Sequence, residues 1–512
     1  MPDQERIKEA VLYIIRSGCQ LKPDGLKALR ELHEGLDPLE IAREAVRRAL
    51  EEGRFFIGEQ EVKMVSPGRE APEGEGSLLV SMGKGVKATL AGEVEADVEV
   101  LADPTNEAGS EGSIKDFLEY FKDRFERLSA LLRRRLDARD ALSVADALRA
   151  GRNDEVKIIG MVRGKKESDG KVIAILEDDR ATAKVVFSPR ASKEAYEKAK
   201  KLMADQVVCV RAIKMGGEIF VAKELITPGL PGRKKAVKAL KEPICAVLIS
   251  DLHFGSRSFM SDAFKRFLSW LRGELGNRSL RELAGLVKYV IVAGDLVDGV
   301  GVYPGQEHDL AIADIRAQYE GLAEVLSDLP DHVQLIVSPG NHDACRRALP
   351  QPAIPKEYAA PLYDDDRVLM LGNPCMVAVH GVKFLVFHGN SFDDMVSAVP
   401  GLSFGKPLEL MKLLLEARHL APIYGLKTPI TPTARDTLVI ERVPDVFHTG
   451  HIHVSAVGTY KGVLLVNSGA WQLQTDYQRS RGIEPTPGKA VVVRLSDLST
   501  VELDFTKPHI WR

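Results

Sequence analysis

The run Val290-Ile291-Val292-Ala293-Gly294-Asp295 decides the fold of the second half of this chain. Four apolar residues in succession, three of them β-branched, read as a strand covered on both faces, as in a parallel sheet lined by helices. The glycine lets the backbone turn closely, and a carboxylate stands where the strand ends. The plan recurs. Ile244–Ser250 leads into Asp251-Leu252-His253, and Gln334–Ser338 leads into Gly340-Asn341-His342-Asp343. Phe384–Phe387 leads into His388-Gly389, and a fifth block, Gly450-His451-Ile452-His453, lies further on. Strand ends in an α/β fold converge at one edge, so groups distant in sequence can meet there.

Five of the 12 histidines fall inside these blocks. Asp251 and His253, two apart, read as neighbours on one side of a short extended segment. A carboxylate such as Asp295 bridges two cations, which a histidine cannot do. Asn341 offers a neutral carbonyl oxygen, and His388, His451 and His453 complete the nitrogen donors. Mixed nitrogen and oxygen donors suit manganese, zinc, iron or nickel and are too nitrogen-rich for a pure magnesium site. Two such ions roughly 3.5–4 Å apart lower the pKa of a shared water and clamp the attacking and leaving oxygens of a phosphoester. His342, beside Asn341, is then free to stabilise or protonate the leaving oxygen. His380-Gly381 lies between two strands and reads as a hairpin turn, so His388 is preferred as the ligand. His448 reads as structural or supporting, and Asp298 and Asp343 as groups that orient ligands. His308, His332 and His419 read as surface or loop residues.

At 512 residues the chain is too long for one ordinary domain, and about two to four are expected. Its net charge of -3 gives no global attraction to a polyanion, so any such site is local or metal-borne. Five scattered cysteines without a CxxC exclude a disulfide framework and a zinc ribbon. The charged N-terminus is unlike a signal peptide, and no apolar run is long enough for a bilayer. A soluble intracellular protein without membrane partners is expected.

Residues 1–65 read as a helical N-terminal module. Its clearest start is Asp37-Pro38-Leu39-Glu40, followed by Ile41, Ala45, Ala49 and Leu50 at near-helical spacing, with Gly53 as a stop. Residues 66–113, rich in glycine, glutamate and proline, read as a flexible linker, although the Val/Glu alternation of Glu93 to Leu101 leaves a short strand open. A helical connector, 114–153, carries a helix from Ile114 to Arg135 whose Arg133-Arg134-Arg135 end reads as solvated rather than as a DNA contact. Residues 154–228 show five strands with a helix, Lys193 to Met203, between the third and fourth. That is the string of a small oligonucleotide/oligosaccharide-binding (OB-like) barrel. With no ordered aromatic platform for stacking bases, the barrel reads as a docking surface. The basic Arg233–Lys238 reads as a connector to an α/β domain over 240–512.

The order DxH…GD…GNH…H…GHxH resembles the calcineurin-like metallophosphoesterases, whose fold is a two-layered β-sandwich flanked by helices. Further stretches narrow the match. They are Leu349-Pro350-Gln351-Pro352, Ser391-Phe392-Asp393-Asp394, Arg418-His419-Leu420-Ala421-Pro422-Ile423-Tyr424-Gly425, Val443-Pro444-Asp445 and Asn467-Ser468-Gly469-Ala470-Trp471-Gln472-Leu473-Gln474-Thr475. From about Asp154 onward the chain is similar to the small subunits of archaeal family D DNA polymerases, which are related to the B-type accessory subunits of eukaryotic replicative polymerases. The resemblance implies that Asp251, His253, Asp295 and His453 hold one divalent ion, manganese first among the candidates. It implies that Asp295 as bridge, with Asn341, His388 and His451, holds a second, and that His342 is the catalytic histidine. It further implies a 3′→5′ exonuclease that proofreads DNA 3′ ends beside a separate large polymerase subunit, in the archaeal cytosol. Two alternatives stand: a non-catalytic scaffold of the polymerase, and a stand-alone phosphoesterase for small molecules.

Overall fold

In a computed structural model the described residues are 4–17, 20–21, 23–32, 37–51, 56–58, 62, 90–107, 109–232, 242–480 and 482–511. The chain divides into two compact units. One comprises 1–93, 266–286 and 507–512, the other 94–265 and 287–506.

In the first unit, helices Gln4–Arg16, Pro23–Arg30 and Pro38–Glu51 accompany a short parallel pair, β1 (Gln20–Leu21) and β2 (Phe56–Ile57). The Asp37 carboxylate caps its helix by accepting from Leu39 N at 3.0 Å. Ala10, Ile14, Leu29, Ile41, Ala42, Ala45 and Val46 form the core. Gly53, Cys19 and the side chains of Ala49 and Leu50 lie outside the described residues.

In the second unit the stretch read as a linker divides. Residues 66–89 lie outside the described residues, whereas β3 (Val98–Ala102) is an edge strand, at the place the valine alternation left open. The connector helix runs Ile114–Arg133. Ser113 and Asp116 close its start reciprocally, at 3.2 and 3.0 Å. Tyr120, Arg124, Leu128 and Leu132, four apart, are its buried stripe. Of the arginine run, Arg133 and Arg134 are exposed and Arg135 pairs with Asp137 at 2.6 Å.

Strands β4 (Glu155–Ser168), β5 (Lys171–Glu177), β6 (Thr182–Phe187), β7 (Val207–Gly216) and β8 (Ile219–Ile226) close into a barrel in the order β4-β5-β6-β8-β7. Helix Lys193–Lys200 sits between the third and fourth strands. The barrel phenylalanines, Phe187 and Phe220, are wholly interior. The basic connector Arg233–Lys238 lies outside the described residues.

The rest builds two six-stranded sheets flanked by helices. The first takes β9 (Cys245–Ile249), β10 (Val287–Ala293), β11 (Gln334–Ser338) and β12 (Val368–Met370). The second takes β13 (Cys375–Val379), β14 (Val382–Val386), β15 (Val446–Thr449), β16 (Ala456–Tyr460) and β17 (Val463–Asn467). Strands β18 (Lys489–Arg494) and β19 (Thr500–Asp504) return to the first. The orders are β12-β11-β10-β9-β18-β19 and β16-β17-β15-β14-β13-β3. Every residue of β9 and β10 is buried, which explains why their sequences are apolar apart from Lys288. Strands β9, β10, β11 and β12 run parallel, as do β14 and β15, so their C-terminal ends share an edge within each sheet. No helix among the described residues is long and apolar enough to cross a membrane.

Candidate metal centre

Each of the five blocks follows a strand: Asp251 after β9, Asp295 after β10, Asn341 after β11, His388 after β14, and His451 with His453 after β15. The local backbone differs from the extended segment expected for Asp251 and His253. Both are left-handed, at φ 52° and 50°, as are Asp295, His451 and His453 at 52°, 70° and 57°. Such a conformation costs an L-residue roughly 1–2 kcal/mol, and side chains held that way cluster at functional sites. The glycines have a steric reason. A Cβ on Gly294 (φ 87°) would strike the His388 ring, and one on Gly340 would strike the Asp295 carboxylate.

Among the described residues three groups of donors lie close enough for a shared ion: His253 with Asp298 and His342, and two built on Asp251, one with His253 and His453 and one with Asp295 and His388. His453 Nε2 is 3.1 Å from His253 Nε2 and 3.4 Å from Asp251 Oδ1. Asp295 Oδ2 lies 3.3 Å from His388 Nε2 and 3.7 Å from His253 Nε2, between the two groups. Asn341 Oδ1 is 3.0 Å from His388 Nε2. His451 N donates to both Asp251 oxygens, at 3.1 and 3.0 Å, and its ring stands 5.0 Å from that of His388. His342 N donates to Asp295 Oδ1 at 2.8 Å. All eight residues singled out from sequence are therefore brought together.

The imidazoles are held from behind. His388 Nδ1 donates to the Ala293 carbonyl at 2.8 Å and His253 Nδ1 to Asp298 Oδ1 at 2.9 Å, which leaves Nε2 of each facing the centre. Asp298 thus orients the His253 ring, and Gln472 braces Asp298 at 3.1 Å. Asp343 accepts from Leu296 N and Gly340 N, fixing the turns that carry Asp295 and Asn341. Burial and the nearby Asp295 push its carboxyl up to about 6. His380 occupies the β13–β14 turn, and His448 is wholly buried on β15 against Ser468. Of the surface or loop position expected for His419, the surface alternative is corrected: the residue is buried, and it bonds Asp436 at 2.8 Å. Three supporting groups carried no role in the sequence: Asp393 behind His451, Gln478 behind His453 (2.6 Å), and Ser250 beside Asp251. Asp393 and Gln472 lay within family-like stretches, whereas Gln478 gave no signal.

The donor set suits cations. Asp251 and Asp295 are buried with imidazoles, not lysine or arginine, against them. Burial pushes both carboxyls up, but His453 beside Asp251 and His388 beside Asp295 outweigh it, and Asp295 is held well below the usual range. Burial likewise opposes charge on His253 and His388, yet the carboxylates lift each to about 9. Two buried carboxylates that must borrow protons on imidazole for compensation are groups a divalent ion would satisfy directly. A cavity of about 240 Å³ opens beside them, lined also by Val302, Tyr303, Phe404, Ile452 and Ile483, with no lysine or arginine among its described lining residues.

The family model for the B-type subunit of DNA polymerases alpha and epsilon matches residues 246–456. The DNA polymerase II small subunit of Methanothermobacter thermautotrophicus is 42% identical over 411 residues, 80% of this chain and 84% of that one. That of Archaeoglobus fulgidus is 42% identical over 397 residues, 78% of each. That of Pyrococcus abyssi is 42% identical over 404 residues, 78% of this chain and 65% of the relative. A solved structure described as a novel archaeal phosphodiesterase covers 51% of this chain and 99% of its own at 13% identity and TM-score 0.27, too low to bear on the fold.

Proposed function

The chain belongs to the family of archaeal DNA polymerase II small subunits, and from that premise we propose that it is the 3′→5′ exonuclease of its polymerase. One observation carries the reading: eight donor and acid–base side chains meet at five strand ends, and six of them line one cavity with no lysine or arginine among its described lining residues. Asp251, His253 and His453 would hold one divalent ion and Asn341, His388 and His451 another, with Asp295 between them. When bound, such ions supply the Lewis acidity that activates water and neutralises a phosphodiester. Manganese, zinc, iron and nickel all accept these donors.

The chain's own groups supply the rest. His342 Nδ1 donates to the Asp298 carbonyl at 2.7 Å, which fixes the ring and leaves Nε2 as the nitrogen able to exchange a proton. Burial lowers its pKa, so the ring is neutral until an anionic diester approaches and raises it. That suits a group that stabilises, then protonates, the departing 3′ oxygen. The apolar wall of Tyr303, Phe404 and Ile483 suits a base face better than a bare phosphate monoester.

His342→Ala is expected to slow mononucleotide release from 3′-labelled single-stranded DNA by roughly 10²–10⁴-fold in Mn²⁺ while both ions still bind. Release at the parental rate would refute the role. The barrel, with its phenylalanines turned inward, is read as the dock for the large subunit. Deleting 154–228 is expected to abolish co-purification with that subunit, and an intact complex would remove the docking assignment.

A further inference from the structure

The stretch Ser391-Phe392-Asp393-Asp394 opens a short helix, Phe392–Ala398, and its two aspartates do different work. Asp394 faces the protein. Its Oδ1 accepts from Lys427 N at 2.8 Å and its Oδ2 from Thr428 N at 3.0 Å, while Thr428 Oγ1 donates to the Asn390 carbonyl at 3.0 Å. The turn that precedes the helix is thereby locked to the loop at 427–428. Asp393 faces the cavity and is one of its lining groups. Its Oδ2 lies 2.8 Å from His451 Nε2, and its Oδ1 lies 3.6 Å from Lys427 Nζ.

A carboxylate only accepts, so the proton of the His451 ring sits on Nε2 and the lone pair on Nδ1. The same logic holds His253 through Asp298 and His388 through the Ala293 carbonyl, but in those rings Nδ1 is tied and Nε2 is free. His451 is therefore tethered at its outer nitrogen, and the nitrogen next to its backbone is the one on offer. That geometry matches its place, because His451 N already donates to Asp251 and the ring begins within the centre.

Resting on the metal-centre reading above, we infer that Asp393 is a positioning residue that presents His451 Nδ1 to one of two ions, with Asp394 and the 427–428 loop as its anchor. A plainer role, a surface ion pair with Lys427, makes a different prediction. Lys427 is half exposed, so such a pair contributes little.

The test is Mn²⁺ titration of the full chain by calorimetry, with native mass spectrometry to count ions, on Asp393→Asn, Lys427→Ala, His451→Ala and the Asp393→Asn/His451→Ala pair. Asp393→Asn is expected to weaken one of two ions roughly 10–100-fold, the usual loss when an outer partner of a metal-binding histidine is removed. The other ion should keep its affinity, Lys427→Ala should keep both, and Asp393→Asn should add nothing once His451 is gone. Parental binding of both ions by Asp393→Asn overturns the inference and leaves the centre standing, as does equal weakening by Lys427→Ala. A parent chain that takes up no Mn²⁺ overturns the metal-centre reading itself, and this inference with it.

Discussion

Asp295→Asn is expected to cut mononucleotide release from a 3′-labelled strand by on the order of a thousandfold or more, well beyond the 10–100-fold of losing an outer partner. The position explains the size. Asp295 Oδ2 stands between His388 Nε2 and His253 Nε2, and Oδ1 takes the backbone N–H of His342, so one carboxylate touches both donor groups and the acid–base residue. An amide keeps one oxygen but turns its NH₂ toward cations or imidazoles, and removes a full negative charge from the place where two positive ions would meet. Ion counting should show fewer than two per chain. Binding to the large subunit should persist, because the change is confined to the cavity floor. Parental degradation by Asp295→Asn would refute the site assignment. A parent chain that holds metal yet cleaves nothing, alone or with its partner, would leave the scaffold role.

What the sequence could announce was decided by how local the cause was. Buried parallel strands carry their signal in four or five adjacent residues, so β9, β10, β11 and β14 were legible within a residue or two. The barrel was legible because turns such as Asp169-Gly170 and Gly216-Gly217 separate its apolar runs. The ligands were legible by type and order, but not their backbone: nothing in Asp251-Leu252-His253 says that both flanking residues are left-handed, a conformation imposed by surrounding structure. Strand β3 was obscured because its partner, β13, lies more than 270 residues away, and its own sequence is only five residues long. His419 and Asp393 were misjudged or passed over for the same reason. Their partners, Asp436 and His451, are contacts of tertiary structure that no local window contains.

Family membership and activity rest on different residues. The matched family model ends at residue 456 and the similarity to relatives runs over four-fifths of the chain, so it reflects the whole scaffold. Hydrolysis would depend on eight side chains inside it. A scaffold can outlive its chemistry if those change, and in this chain all eight are present and gathered together.

Arg124→Met is the substitution expected to cost most in stability, about 3–5 kcal/mol, because it strands a buried charge. Arg124 and Asp436 are both wholly buried, joined at 2.7 Å, with Tyr120 Oη and His419 Nε2 also donating to Asp436, at 2.9 and 2.8 Å. This network fastens the connector helix to the loops of the sheet domain. Replacing both charges, as Arg124→Met with Asp436→Leu, should recover most of the loss, since an apolar pair needs no compensation. The pH dependence gives a second reading. Burial, with the Arg124 charge, drives His419 down to about 4, against roughly 6.5 in an unfolded chain. As pH falls from 6.5 to 4 the unfolded chain takes up this proton before the folded one, so the parent loses stability over that window. In Arg124→Met the opposing cation is gone and Asp436 remains, so His419 should titrate higher and become the charged partner itself. The deficit of the variant in denaturant unfolding should therefore be largest at pH 7–8 and shrink toward pH 5. A deficit that stays constant or grows in acid would mean that Asp436 is not the charge left stranded.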